Sequence, residues 1–348
     1  CNIMASTIEL VTPIHDPNHI KVGDRTVAFM QSQTKLDDEG KDIVIEEAMK
    51  ILSHCVPPGH NANITNIAVG YVQSGKTLSF TTLTALAADN GYRIVVYLTG
   101  TKNNLQTQTS ERLRNDLKVD EEDNYIIVDA NEEAIALDNY IRNILEMGSE
   151  VLLFPILKHY VHINRLAETF KIPALASMLG HYGVLIIDDE ADQSSFNTYA
   201  KKNASNPDWI EDDFSKTYES ILNLKQALPN HSYIQYTATP QAAFLIDSND
   251  ILSPKYHTVL TPGKGYTGGK FFFKNKDLRL VSTIPDEQIY HHKDNPLSVV
   301  PSSLQKALQE FFLSIAIVVF IQKRESFLSM MIHVDGRRDT NATFAKWA

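Results

Sequence analysis

Cysteine is nearly absent from this chain, with two among 348 residues, Cys1 and Cys55. Two thiols cannot staple a fold of this length, so a disulfide scaffold is excluded and a reducing, cytoplasmic setting is expected. Glycine (15) and proline (14) are too sparse for a collagen-like or proline-rich fibre, and no internal repeat is evident. Long hydrophobic runs are also missing. The most apolar stretch, "FFLSIAIVVFI" from Phe311 to Ile321, falls short of the roughly 20 residues of a membrane span. No basic start followed by an apolar middle and a small-residue cleavage site is seen, so neither membrane partner nor secretion signal is expected. Positive charge is in deficit, with 32 Lys and Arg against 42 Asp and Glu, a net −10. That excludes a surface basic all over, so any nucleic-acid contact must be local.

What is present is a globular composition, 43% hydrophobic and 21% charged. Lys41 to Cys55 has helical spacing, and "VPPGHNANIT" is a loop. Short apolar runs then alternate with helical patterns: "NIAVG", "RIVVYLTG", "YIIVDA", "EVLLFPIL", "GVLIIDD" and "SYIQYTATP" are read as strands. Such alternation predicts an α/β fold with a parallel sheet covered on both faces. The expected divisions are an N-terminal helical extension (1–60), an α/β lobe (61–250), a loop or small β insertion (251–300), and a helix opening a further lobe (301–348). In that last segment "PSSLQKALQEFFLSIAIVVFIQKR" is read as a largely buried helix and "FLSMMIHVD" as a strand.

"GYVQSGKT" fits G-x-x-x-x-G-K-[ST] at Gly70, Gly75, Lys76 and Thr77. It follows an apolar strand and opens a helix, the context that chemistry requires. Glycines let the loop curl its N–H groups toward phosphate oxygens. The helix N-terminus adds its positive end. Lys76 is placed to reach the β- and γ-phosphates, and the Thr77 hydroxyl to ligate Mg²⁺. "GVLIIDDEADQSS" runs a strand, expected to neighbour that of the phosphate loop, into a carboxylate cluster. Asp189 suits the metal side and Glu190 the polarisation of attacking water. Asp188 leaves the register ambiguous; Asp189 is preferred because Asp189 to Asp192 then spells DEAD. "YIQYTATPQAAF" places the hydroxyls of Thr237 and Thr239 at a third strand end, able to bond the acidic motif.

These three elements, in this order, resemble the first RecA-like lobe of superfamily-two helicases and translocases. Through "VQSGKT", "DDEADQSS", "YTATPQA", "TPGKGYTGG" and "SMMIHV", the chain is more closely similar to the bacterial Z-one domain family, over residues 60 to 335. The resemblance implies a helicase-like, DNA-dependent ATPase using ATP and Mg²⁺, of the kind found in restriction and phage-defence systems and often labelled endonuclease. It implies that Gly70, Gln73, Ser74, Gly75, Lys76 and Thr77 bind the triphosphate. It also implies partner subunits of such systems, and a second RecA-like lobe that supplies an arginine; Arg337 and Arg338 come too early to match it. Two alternatives stand beside it: an endonuclease component with its nuclease centre elsewhere, and a nucleotide-gated module that does not hydrolyse.

Thr101, Lys102, Asn103 and Gln108, in "LTGTKNNLQTQT", are candidates for backbone contact with nucleic acid. Lys264 and Tyr266, in "PGKGYTGGK", add a cation and a stacking ring. No convincing nuclease centre is read. Asp116 with Lys118, and Asp286 and Glu287 with Lys293, lack a strand–loop–strand context, and the side chains of adjacent His291 and His292 diverge. His54 and Cys55 are read as packing residues rather than zinc ligands.

Overall fold

In a computed structural model, the structure describes residues 13, 14, 16, 19–71, 75–121, 124–192, 213–244, 250–275, 278–289, 297, 299–325, 327–334 and 338–348. The chain divides into two compact units, Cys1–Tyr266 and Thr267–Ala348.

The first unit is built on a seven-stranded sheet. Its strands are β1 (Asn63–Val69), β2 (Tyr92–Thr99), β3 (Tyr125–Ile127), β4 (Val151–Leu157), β5 (Gly183–Asp189), β6 (His231–Thr237) and β7 (Tyr256–Val259). Every pairing is parallel, in the order β3-β4-β2-β5-β6-β1-β7. The apolar runs are continuous because both faces are covered. Alternate residues divide between two cores. Val95, Tyr97, Leu185, Ile187, Ile234 and Tyr236 join one; Ile94, Val96, Leu98, Ile186 and Tyr233 join the other.

The first core is roofed by α1 (Asp24–Ser32), α2 (Asp38–Ser53) and α3 (Lys76–Asp89), with α4 (Asn103–Asp116) reaching it through Leu113. The second is covered by α5 (Ala134–Met147), α6 (Tyr160–Phe170), α7 (Pro173–Leu179) and α8 (Asp213–Ala227). A short α9 (Gln241–Phe244) follows β6. α3 is buried from Ser79 to Ala88 on every side, polar positions included. Three of its threonine hydroxyls are satisfied within the helix: Thr81, Thr82 and Thr84 donate to the carbonyls of Thr77, Leu78 and Phe80 at 2.8–2.9 Å. At its far end the Asp89 carboxylate accepts from the N–H groups of Gly23, Arg25 and Thr26 and from the Thr26 hydroxyl. This caps α1 from another element and ties the N-terminal helix to the helix that opens at the phosphate loop. Gly183 is dictated by close approach: a Cβ there would meet the Tyr92 ring at 2.4 Å.

Two expectations are corrected here. The strand carrying the acidic motif is not beside the phosphate-loop strand; β6 lies between β5 and β1. The segment after residue 251, expected as loops or a small β insertion, sends β7 into the main sheet beside β1. Four residues with only Tyr256 and Val259 hydrophobic are too few to announce a strand; pairing with β1 makes it one. His54 and Cys55 pack as expected. The His54 ring stacks on Tyr256 with centroids 3.4 Å apart, and burial pushes the Cys55 thiol up to about 12.

Lys225 of α8 is buried and donates to Thr65 Oγ1 (2.7 Å) and the Ile251 carbonyl (2.8 Å). Desolvation lowers its pKa from 10.5 to about 7, against the opposing charge of Asp250. Between those values the unfolded chain holds a proton that the folded chain does not, so stability rises with pH from about 7 to about 10 and is lowest below 7. The expected rise is on the order of 4 kcal/mol. Urea midpoints at pH 6.5 and 9.5 check it: Lys225→Met loses most of the difference, and an equal difference in both proteins contradicts the assignment.

In the second unit the described elements are α10 (Gly269–Lys274), a 3₁₀ turn (Asp286–Gln288), α11 (Ser302–Ala316) continued by a π turn (Ile317–Ile321), and α12 (Arg338–Trp347). Residues 327–334, expected as a strand, form none, because the described residues of this unit offer no strand to pair with. The apolar helix was expected to be largely buried. Instead Leu304 is its only buried residue among those described, and Phe312, Leu313, Phe320 and Ile321 are exposed. Ser302–Ile321 is 20 residues, and by length and composition alone is sufficient to cross a membrane, unlike the shorter run read from sequence.

Candidate nucleotide site

Three strand ends define the site. Register aligns Val69 of β1 with Thr237 of β6, and Tyr236 of β6 with Asp189 of β5, so these chain ends share one rim of the sheet. Beyond Val69, Gly70 N–H donates to the Thr237 carbonyl at 3.0 Å, tethering the start of the phosphate loop to β6. Gln73 and Ser74 lie outside the described residues. The loop closes at Gly75, whose φ of +99° is left-handed, and whose missing Cβ would face open space. Lys76 and Thr77 then open α3, with the free N–H groups and positive end of the helix at the same rim.

Strand alternation sorts the two aspartates. Asp188 is fully buried, accepts from the Tyr233 hydroxyl and lies 2.6 Å from Lys158 Nζ. Tyr233 belongs to the core opposite α3, so Asp188 is taken up on that side. Asp189, one residue on, falls on the α3 side. Burial and the neighbouring Glu190 charge raise its pKa, while Lys158 and Lys76 pull it down. The influence of Lys76 places the phosphate-loop cation and the motif carboxylate in one electrostatic neighbourhood.

Glu190 sits at φ +55°, a left-handed conformation that a non-glycine residue holds only under constraint. The next residue supplies part of that constraint: Ala191 N–H donates to the Tyr236 carbonyl at 3.0 Å. Asp192 completes the turn by accepting from Thr237 Oγ1 (2.7 Å) and Thr239 Oγ1 (2.9 Å), while Thr239 N–H donates to Thr237 Oγ1. The two threonines therefore join the acidic turn directly.

A magnesium nucleotide fits this donor set. The Thr77 hydroxyl and the Asp189 carboxylate are hard oxygen donors, suited to Mg²⁺, which takes the rest of its shell from phosphate and water. The left-handed Gly75 and the free helix end suit a phosphate. A half-buried carboxylate whose charge is held at a cost is also a fitting neighbour for a cation.

Two residues of this rim were not singled out from sequence. Lys158 follows β4 and bonds the acidic turn from the far side. Its one legible signal is a lysine directly after seven apolar residues. Arg112 of α4 donates to Thr77 Oγ1 at 3.3 Å; nothing in its helical surroundings marks it. Thr101, Lys102 and Asn103 lie exposed at the start of α4, and Gln108 is exposed within it. Lys264 is placed differently from the expectation of phosphate contact: its ammonium is taken by Asp37 (2.7 Å) and Glu39 (2.6 Å) at the start of α2. Tyr266 does not stand alone as a stacking platform; its ring tilts against Tyr71 of the phosphate loop, 5.7 Å between centroids. Asp116 ends α4 and Lys118 lies in the turn after it, while Asp286 and Glu287 lie in a 3₁₀ turn, neither pair in a strand. Lys293, His291, His292 and Arg337 lie outside the described residues.

No family model matches the chain, and no curated protein does. Among solved structures it is similar to the Pyrococcus furiosus Hef helicase domain, at TM-score 0.33 and 15% identity over 56% of this chain and 35% of that one. It is similar to the type III secretion ATPase EscN of enteropathogenic E. coli, at TM-score 0.29 and 13% identity over 87% and 63% of the two chains. A prototypical ATPase of a type III secretion system follows at TM-score 0.26 and 14% identity, over 59% and 51%. The chain thus spans less than two thirds of each, and likeness of this extent carries no argument about chemistry.

Proposed function

We propose that this chain carries the nucleotide-binding lobe of a helicase-like, DNA-dependent ATPase of the Z-one domain family, acting in a bacterial restriction or defence system. The reading rests above all on one observation: Gly75-Lys76-Thr77, Asp189-Glu190 and Thr237/Thr239 bonded to Asp192 sit at one rim of one parallel sheet. Lys76 and Thr77 would hold the triphosphate, with Asp189 on the metal side. Bound Mg²⁺ would neutralise charge on the phosphate oxygens. Glu190 would orient a water in line with the γ-phosphorus and take its proton as the bond to the ADP oxygen breaks. Thr237 and Thr239 would pass the state of the acidic turn to β6. The exposed start of α4 is the candidate DNA contact, local as the net negative charge requires.

Phosphate release from the full-length protein, with and without duplex or single-stranded DNA, tests this reading. Stimulation of tenfold or more by DNA is expected. Steady binding of MgATP without release under any nucleic acid would instead support the non-hydrolysing module.

A further inference from the structure

Lys158 is buried at the end of β4, with β2 between it and β5. It therefore reaches across about two strand spacings, roughly 10 Å, to the acidic motif. Its Nζ lies 2.6 Å from Asp188 Oδ1 and donates to the carbonyls of Asp189 at 2.8 Å and Glu190 at 3.0 Å. The ammonium thus pairs with Asp188 by charge and hydrogen-bonds the backbone of the next two residues of the turn. The first of those two is the metal-side candidate, and the second holds a left-handed backbone. Charge balance for Asp188 alone would need no grip on the next two carbonyls.

We propose that Lys158 is a positioning residue for the metal. By fixing the Asp189 and Glu190 carbonyls, it aims the Asp189 carboxylate at the rim where α3 begins and keeps Glu190 in its strained turn. The proposal rests on the nucleotide reading above but concerns a different element. The phosphate loop belongs to β1 and α3, whereas the two carbonyl bonds from Lys158 act on the turn that follows β5. Phosphate affinity and metal affinity should therefore separate when Lys158 is changed.

Lys158→Met alone leaves the buried Asp188 carboxylate without its cation and is expected to lower the thermal midpoint steeply. The informative protein is Lys158→Met with Asp188→Asn, which removes both charges together. A fluorescent ATP analogue is titrated into each protein in excess Mg²⁺ and in EDTA. For the unmodified chain Mg²⁺ is expected to tighten binding at least tenfold. For the double variant the metal-free affinity is expected within twofold of the unmodified chain, and the tightening by Mg²⁺ below threefold. Full tightening in the double variant would show that Lys158 only balances Asp188, overturning the proposal. Loss of metal-free binding as well would make its role generally structural, again overturning it. An unmodified chain that binds the analogue without any Mg²⁺ effect would remove Asp189 from the metal side, and the proposal with it. No binding by the unmodified chain at all would overturn the nucleotide reading itself.

Discussion

Lys76→Ala abolishes MgATP binding, with calorimetric affinity falling at least about 100-fold, or about 2.8 kcal/mol. The lysine is the one phosphate-loop side chain whose charge is felt at Asp189, so its loss acts twice. The triphosphate loses a compact cation at its β- and γ-oxygens. Asp189 loses one of the two charges holding its pKa down, and the metal side weakens with it. Lys76 is half-buried at the start of a helix whose core-forming residues begin at Ser79. The thermal midpoint should therefore move by only a degree or two. Unchanged affinity in a folded Lys76→Ala protein would end the assignment of this loop.

The second large effect falls on Glu190, where chemistry and backbone strain coincide. Glu190→Gln is expected to keep MgATP binding and lower turnover by about 10²–10⁴, the range for losing a positioned base. Binding should hold because the Glu190 charge is the second cause, after burial, of the raised Asp189 pKa. Its removal leaves Asp189 more readily ionised. Glu190→Gly should lose turnover equally and gain about 1 kcal/mol of stability. Left-handed geometry costs a non-glycine residue about 1–2 kcal/mol, of which the extra chain entropy of glycine returns part. Denaturant midpoints beside phosphate-release rates read both effects. If Glu190→Gly lowers stability, the strain interpretation fails; if Glu190→Gln turns over normally, the base lies elsewhere.

Much of the site was visible as local pattern. Gly75, Lys76 and Thr77 are adjacent in sequence and need only a preceding strand and a following helix to become a phosphate cradle. Thr237 and Thr239 stand at a strand end, and their bonds to Asp192 were foreseeable as a possibility from chemistry alone. The aspartate ambiguity was not soluble that way. Adjacent residues of one type look alike until the two faces of β5 are known to differ, one carrying α3 and the other Tyr233. The ion pairs of Lys264 were not legible, because a cation in a glycine-rich loop gives no sign of Asp37 and Glu39 more than 200 residues earlier.

What the amino-acid order determined by itself is the succession of strands and helices, the burial of both sheet faces, and the residue types of the phosphate loop and acidic turn. Those properties depend on neighbours two to four positions apart, where apolar period and turn chemistry act. Only the tertiary structure decided the strand order, with β6 between β1 and β5, and β7 beside β1. It alone delivered Lys158 across the end of β2 to the acidic turn and Arg112 to Thr77. These contacts depend on where each crossover returns its strand, and the free energy that selects the return is spread over the whole core rather than encoded in any one segment.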